Sequence, residues 1–387
     1  MANQAPPIWT NSHSTYQKRV ITDYVAMLDP SDAPFVEAIG GLDGASGKFK
    51  FTATGIKYEW LEDTLSPLSV TAADSASGWT STTAATTVTL ASGAVNALEP
   101  GHILKADSEY LWVSSISGDV ITVTRGFGDT TKATHSSAVS IEVIGQARLE
   151  GAESVPMGFT DLTSQWNYSQ IFHKEIKLTG SAPLVEVYGI NDPYEYQAAK
   201  SLPEMMRLIE KTLQYGKRAA DNTGALTTAP RTMGGVDVFL NSTDSNIYTT
   251  GTAAFTTTTI ENTLKMAYDD GSSGQFTAII NPTNFQQITA MYNNSSFIRF
   301  PPEQGRVGMV PATIVTPFGE VNFVLDRWQK LNYIYFIKPE NMGMLTLRPW
   351  QIEDLAKGGD YERKQLVGEF GFAVKLPKSM AVLQLSS

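Results

Sequence analysis

NDPYEYQAAKSLPEMMRLIEKTLQYGKRAADNTG, residues 191–224, sets the architecture of this 387-residue chain. Asp192 stands as an N-cap, Pro193 takes the first helical position and Glu195 the third, an order that presents acceptors to the free amides of a helix start. Apolar side chains follow at Tyr196, Ala199, Met206, Ile209 and Leu213, the spacing of a one-faced helix. The pattern predicts a helix over 192–221, stopped by Asp221-Asn222-Thr223-Gly224. Such a helix is roughly 45 Å long. Pro203 is expected to bend it or to break one hydrogen bond. No heptad repeat accompanies it, so it reads as a spine across a flat domain rather than a coiled-coil seam.

On either side of this spine the texture changes. Residues 1 to about 30 are polar, with Pro6-Pro7, and read as an arm. Between 66 and 92, Ser and Thr supply 13 of 27 residues, a linker or exposed β composition. Short apolar runs then alternate with turns: His102-Ile103-Leu104, Tyr110 to Val113, Val120 to Val123 and Ala138 to Ile144, punctuated by Ser117-Gly118-Asp119 and by Gly126, Gly128 and Asp129. That spacing predicts a small β module starting near 69, inserted into a chain whose flanks follow another pattern. Beyond the spine, a helix is predicted from Ile260 to Tyr268, a strand from Phe276 to Ile280, and a helix capped by Asn281-Pro282. The remainder reads mainly as strands, with Leu366, Gly368, Phe370, Phe372, Val374 and Leu376 sharing one face of the last long one. The class is α+β.

The chemistry of the chain is defined mostly by exclusion. A net charge of −10 disfavours gripping a phosphate backbone. With no cysteine, disulfides, thiolate metal sites and Cys nucleophiles are all excluded. No apolar run approaches a membrane span or a signal-peptide core, so the reading is a soluble, cytosolically made protein. Gly47-Lys48 resembles a phosphate loop, but Gly41 to Gly47 has the wrong spacing and Phe49 stands where a hydroxyl is required; Phe49, Phe51 and Ala53 instead alternate as a strand. His13, His102, His135 and His173 lack metal-ligand spacing. Asp269-Asp270-Gly271-Ser272-Ser273 reads as a helix-ending turn, not a calcium loop. Glu62-Asp63 cannot form a dyad on one strand face, and Glu150 and Glu153 are a lone acidic pair. Lys200, Arg207, Lys211, Lys217 and Arg218, interrupted by Glu204 and Glu210, read as a solvated helix face. The widely spaced tryptophans, among them Trp112 and Trp328, read as core or subunit contacts. No cofactor, no metal and no catalytic constellation is expected.

An arm, an inserted β module and a long spine without chemistry suit a self-assembling structural protein. ITDYVAMLDPSDAPFVEAIG (21–40), YEWLEDTL (58–65), LEGAES (149–154), NYSQIFHKEIKLTG (167–180), APRTMGGV (229–236) and LRPWQIEDLAKGGDYERKQLVGEF (347–370) together resemble tailed-bacteriophage major capsid proteins of the Hong Kong 97-like fold. The resemblance covers most of the chain outside 69–145. It implies an N-terminal arm at 1–45, an extended loop at 46–68 and 146–180 carrying an inserted β domain at 69–145, a peripheral domain at 181–231 and 347–387, and an axial domain at 232–346. By that resemblance Trp60, Glu62, Asp63, Trp166, Tyr168, Phe172, Arg231, Arg348 and Trp350 are candidate subunit contacts. The implied partners are further copies, as pentamers and hexamers of a shell around double-stranded DNA held without sequence-specific binding, with portal, scaffold and decoration proteins beside them. The implied location is the virion, with assembly in the host cytoplasm. An encapsulin-like compartment, a tail or adhesin β protein, and a hydrolase using Asp269, Asp270 or the glutamates are the competing readings.

Overall fold

The computed structural model describes residues 32–42, 55–73, 86–135, 138–153, 162–185, 190, 192–219, 230–241, 246–251, 255–293 and 313–385. The proposed strand after Lys48 and the arm before residue 32 lie outside these. The chain divides into two compact units, one of residues 1–59 with 166–387 and one of residues 60–165. A short ribbon pairs Lys57–Glu62 with Thr163–Tyr168.

In the first unit the spine helix runs from Pro193 to Tyr215. The Asp192 carboxylate accepts from the amides of Tyr194 (2.7 Å) and Glu195 (3.3 Å), a cap worth about 1 kcal/mol. Met205, Ile209 and Leu213, one turn apart, form its buried stripe. Met206, expected in that stripe, is only half-buried. The helix continues through Pro203, which withholds one amide from the carbonyl four residues earlier.

The spine ends at Tyr215, earlier than the expected 221, because another segment occupies its end. Gly235 donates to the Gly216 carbonyl at 2.9 Å. A Cβ on Gly216 would lie 2.6 Å from the Met233 carbonyl oxygen, and one on Gly235 2.6 Å from that of Thr212. Glycine is required where two backbones approach so closely.

Two sheets complete this unit. One has six strands in the order Asn246–Thr250, Ala381–Leu385, Tyr333–Ile337, Gln275–Ile280, Gly319–Leu325 and Thr313–Thr316. The helices Thr257–Asp269 and Pro282–Asn293 contribute Ile260, Leu264, Phe285 and Ile288 to a core shared with Phe276, Phe336 and Leu383 of the strands. The other sheet has three antiparallel strands, Met342–Leu355, Tyr361–Val374 and Gln170–Thr179.

The strand pairing departs from the sequence expectations at several points. Residues 381–385, expected with the peripheral segment, pair in the six-stranded sheet with 246–250 and 333–337. Met342–Thr346, placed in the axial domain, instead begin the hairpin with 361–374. Leu376 does not continue that strand face: its φ of 47° turns the chain towards the final strand. Leu366 to Val374 is buried at successive residues, so both faces of that strand are covered and no alternation survives.

The second unit is built on a six-stranded sheet, Ser69–Thr71, Ser140–Gln146, His102–Ala106, Glu109–Ser117, Val120–Arg125 and Thr87–Thr89 in spatial order. Its first and last strands meet: Ala72 bridges Leu90, Ala73 donates to the Thr89 carbonyl at 2.9 Å and Ala91 to that of Thr71 at 3.0 Å. The sheet is therefore a closed barrel, filled by Leu104, Leu111, Val113, Ile121 and Ile141. Closure removes the free edges that would otherwise invite strand addition.

One end of the barrel is locked by a buried charge network. The Glu109 carboxylate receives Arg125 through Nε (2.9 Å) and Nη2 (2.6 Å), the amides of Gly126 (3.0 Å) and Ala133 (2.9 Å), and His135 Nε2 at 3.0 Å. His135 Nδ1 lies 2.7 Å from Asp107. Burial pushes the Glu109 carboxyl up, but Arg125, the Ala133 amide and His135 outweigh it and hold the group down at about 2. A carboxylate depressed in the folded state stabilises above its unfolded value and loses that contribution as pH falls through its folded one. Acidification from about 4.5 towards 2 is therefore expected to loosen residues 120–134 first. Hydrogen exchange of the intact protein against pH checks this, and Glu109→Gln should remove the pH dependence.

Candidate assembly surface

The segments singled out in the sequence converge on Asn167, whose side chain is completely occupied. Its Nδ2 donates to the carbonyls of Gly234 (2.9 Å) and Phe372 (2.7 Å), and its Oδ1 accepts from the amides of Gly234 (2.8 Å) and Tyr168 (2.9 Å). One amide thus ties the strand after the loop, the glycine segment at the spine end and the long hairpin together. Tyr58 adds a second tie: its hydroxyl accepts from the Phe372 amide (2.7 Å) and donates at 3.0 Å to the Phe372 carbonyl. Burial pushes that phenol far above its usual range.

Glu369 forms the charged counterpart. Its Oε1 accepts from Arg231 Nη2 (2.5 Å) and Ser169 Oγ (2.7 Å), and Arg348 Nε lies 3.3 Å from Oε2. Arg231 Nε donates to the Ser169 carbonyl at 2.9 Å. Nearby, the Arg218 guanidinium lies 4.3 Å from the Trp166 ring centre, and Trp166 stands edge-on to Tyr168 at 5.3 Å.

The nine candidate contact residues therefore separate. Phe172 is buried in the chain beside Phe370, with ring centres 6.4 Å apart, and offers no free surface. Arg231 is engaged internally by Glu369 and Ser169. Trp60 is buried, its indole donating to Glu62 at 3.1 Å. Trp166 and Tyr168 are half-buried and meet edge-on. Asp63 and Arg348 are exposed, and Glu62 and Trp350 are half-buried.

Trp350 leads to a feature the sequence reading missed. Between the first half of the spine and the three-stranded sheet lies a cleft of about 370 Å³, lined by Tyr194, Ala198, Leu202, Trp350, Ile352 and Leu366 among others. Two polar atoms in these apolar walls, Tyr194 Oη and Trp350 Nε1, are buried without a hydrogen-bond partner among the described residues. Unmet buried donors are uncommon and costly, about 1–3 kcal/mol each. Ion pairs border the cleft. Lys364 lies 4.3 Å from the centre of the Tyr194 ring and 3.5 Å from Asp354, and Lys174 pairs with Glu204. Burial, then the charges of Lys200 and Arg207, lower the Lys174 ammonium.

Exposed leucines stand around the ribbon. Leu61, Leu65 and Leu68 are 65%, 95% and 75% exposed, interspersed with Glu62 and Asp63. The sequence signal for both surfaces was present, as leucines among acids and leucines among lysines, but only the fold shows which are left uncovered.

The residues weighed for catalysis are dispersed or committed elsewhere. His135 sits in the barrel network, and His102 Nδ1 accepts the Glu99 amide at 3.1 Å. Asp269 ends a helix, and Gly271 turns the chain with φ 88°. Among the described residues, no group of three His, Cys, Asp or Glu side chains is placed to hold a metal ion. No described helix is long and apolar enough to cross a membrane.

A spine helix, a short two-stranded ribbon, a glycine-locked crossing and a six-stranded sheet make up a Hong Kong 97-like fold. The fold is that of solved capsids. It matches the cyanophage A-1(L) capsid asymmetric unit with a TM-score of 0.58 at 9% identity, over 97% of this chain and 99% of that one. It matches the capsid of a native GTA particle with a TM-score of 0.53 at 8% identity, over 99% and 100% respectively. No curated protein matches. The SU10 major capsid protein family model matches residues 8–386, and the chain belongs to that family. It is a tailed-phage major capsid protein, a shell-forming structural component of the virion.

Proposed function

We propose that copies of this chain assemble as pentamers and hexamers into an icosahedral head around a double-stranded DNA genome, in the host cytoplasm, with portal, scaffold and decoration proteins as further partners. The single observation that carries the contact model is the unfilled cleft with its two unpartnered donors. Its occupant is the 61–68 segment of a second copy. Three exposed leucines supply apolar area to its apolar walls, and backbone carbonyls of the segment reach Tyr194 and Trp350. A loop from one subunit in a cleft of the next is a heterologous contact, which closes into rings by rotation. Weak contacts repeated in every copy add up as a multivalent set.

The net charge of −10 fits a container that must not adhere to its polyanionic contents. In this reading the closed barrel is the inserted domain and projects outward from the shell. Replacing 70–145 by a short linker is expected to leave shells of normal diameter that lack outer density in electron micrographs; failure to assemble would assign the barrel to the shell wall.

Electron microscopy of the purified protein tests the reading as a whole. Closed shells, or rings of five and six subunits, are expected. Single-chain particles only, even with phage head proteins co-expressed, would overturn it.

A further inference from the structure

Glu210, read from the sequence as part of a solvated face, is fully buried instead. Its side chain meets the short helix Pro34–Ala38 of the arm: Oε1 accepts the Phe35 amide at 2.7 Å and Oε2 the Val36 amide at 3.0 Å. Behind it stands a second fully buried acid, Asp326, held by Gln214 one helical turn along the spine from Glu210. Asp326 accepts the Trp328 amide at 2.8 Å and the Gln214 side-chain amide. Two buried carboxylates set this close repel when both are ionised, and one proton held between them relieves that repulsion.

The surrounding charges do not substitute for that proton. On the arm, Asp32 is engaged by Arg327 at 3.1 Å and adds negative charge towards Asp326. On the spine, Lys211 lies over the Trp328 ring, 5.0 Å from its centre. Lys217 and Lys330 are paired with Asp237 at 2.7 and 3.0 Å. Tyr215, whose hydroxyl donates to the Trp328 carbonyl, is a neutral neighbour, its phenol pushed up to about 12 by burial and by Asp326 and Asp237.

We propose that the Glu210–Asp326 pair is a proton-operated latch for the arm: with one shared proton it holds the first amides of the arm helix to the spine, and without it two facing carboxylates loosen residues 33–41. Gly40 and Gly41, with φ of 98° and 84°, follow the helix as a ready pivot. Burial, then the Asp326 charge, pushes the Glu210 carboxyl up to about 8, and burial raises Asp326 as well. A carboxyl raised in the folded state gives its full contribution below its unfolded value and loses it as pH rises through the folded one. The latch is therefore closed in mild acid and weakened above about pH 8. The apolar anchors Phe35, Val36 and Ile39 are insensitive to pH, so the loss is graded.

The test is hydrogen exchange of the full-length, unassembled chain, with protection factors corrected for intrinsic base catalysis. For residues 33–41, protection should fall by up to about tenfold per pH unit between about 5 and 8, the slope of one released proton. Asp326→Asn should flatten that slope while retaining protection at pH 8, and Glu210→Gln, which keeps an acceptor for only one of the two arm amides, should flatten it at a lower protection throughout. Two replacements keep the test valid where one disturbs folding. A flat wild-type profile, or an unchanged slope in the variants, would overturn the latch.

Discussion

Leu202→Asp is expected to abolish closed shells while leaving the subunit folded. Leu202 is 44% exposed on the spine and lines the cleft, so the new carboxylate is solvated in the free chain and should cost at most about 0.5 kcal/mol of stability. In the assembly it would lie beneath an incoming leucine, forfeiting about 1.5–3 kcal/mol of apolar burial and adding a charge to desolvate. Every copy carries the defect, so a modest loss per contact multiplies around each ring. Leu65→Asp, altering the 95% exposed opposing residue, should have the same effect. Negative-stain microscopy and circular dichroism provide the readout. Normal shells in both variants would remove the cleft from the interface. Normal shells with Leu65→Asp alone would leave the cleft to a different occupant.

The second large effect is expected within the subunit. Glu369→Ala leaves Arg231, 12% exposed at its side chain, without its carboxylate, and deprives Arg348 and Ser169 of an acceptor. Removing one partner of a buried ion pair costs about 3–5 kcal/mol, mostly because the remaining charge stays buried alone. Denaturant unfolding should show that loss as a lower midpoint. Replacing both Glu369 and Arg231 by Met should restore much of it, since an apolar pair of similar volume carries no unmet charge. Equal instability of the single and double variants would mean that Arg231 contributes through shape rather than charge.

What the sequence made legible was local. Asp192-Pro193 and the spacing of Ile209 and Leu213 encode the spine start and part of its buried face within one helix, where Met205 rather than the expected Met206 completes the stripe, and the turns between 102 and 144 encode the barrel strands. The spine end was not legible, because Gly216 stops the helix only when Gly235, nineteen residues later, packs on it. Glu210 sits beside Ile209 on the inner face, but its neighbours Phe35 and Asp326 are 175 and 116 positions away, and no local pattern announces a buried acid pair. The contact surface was half legible. Trp350 was singled out for its type, yet its importance comes from an indole hydrogen left unmet between helix and sheet.

The strand Ala381–Leu385, inserted between 246–250 and 333–337, also imposes an order of events in time. A ribosome must deliver residue 385 before strand 246–250 acquires its only described ladder partner, more than a hundred positions downstream. Contacts of such separation form late and slowly. A truncated product of an interrupted message would thus lack the inner rung of its six-stranded sheet, and would be excluded from a growing lattice by its own unfinished shape.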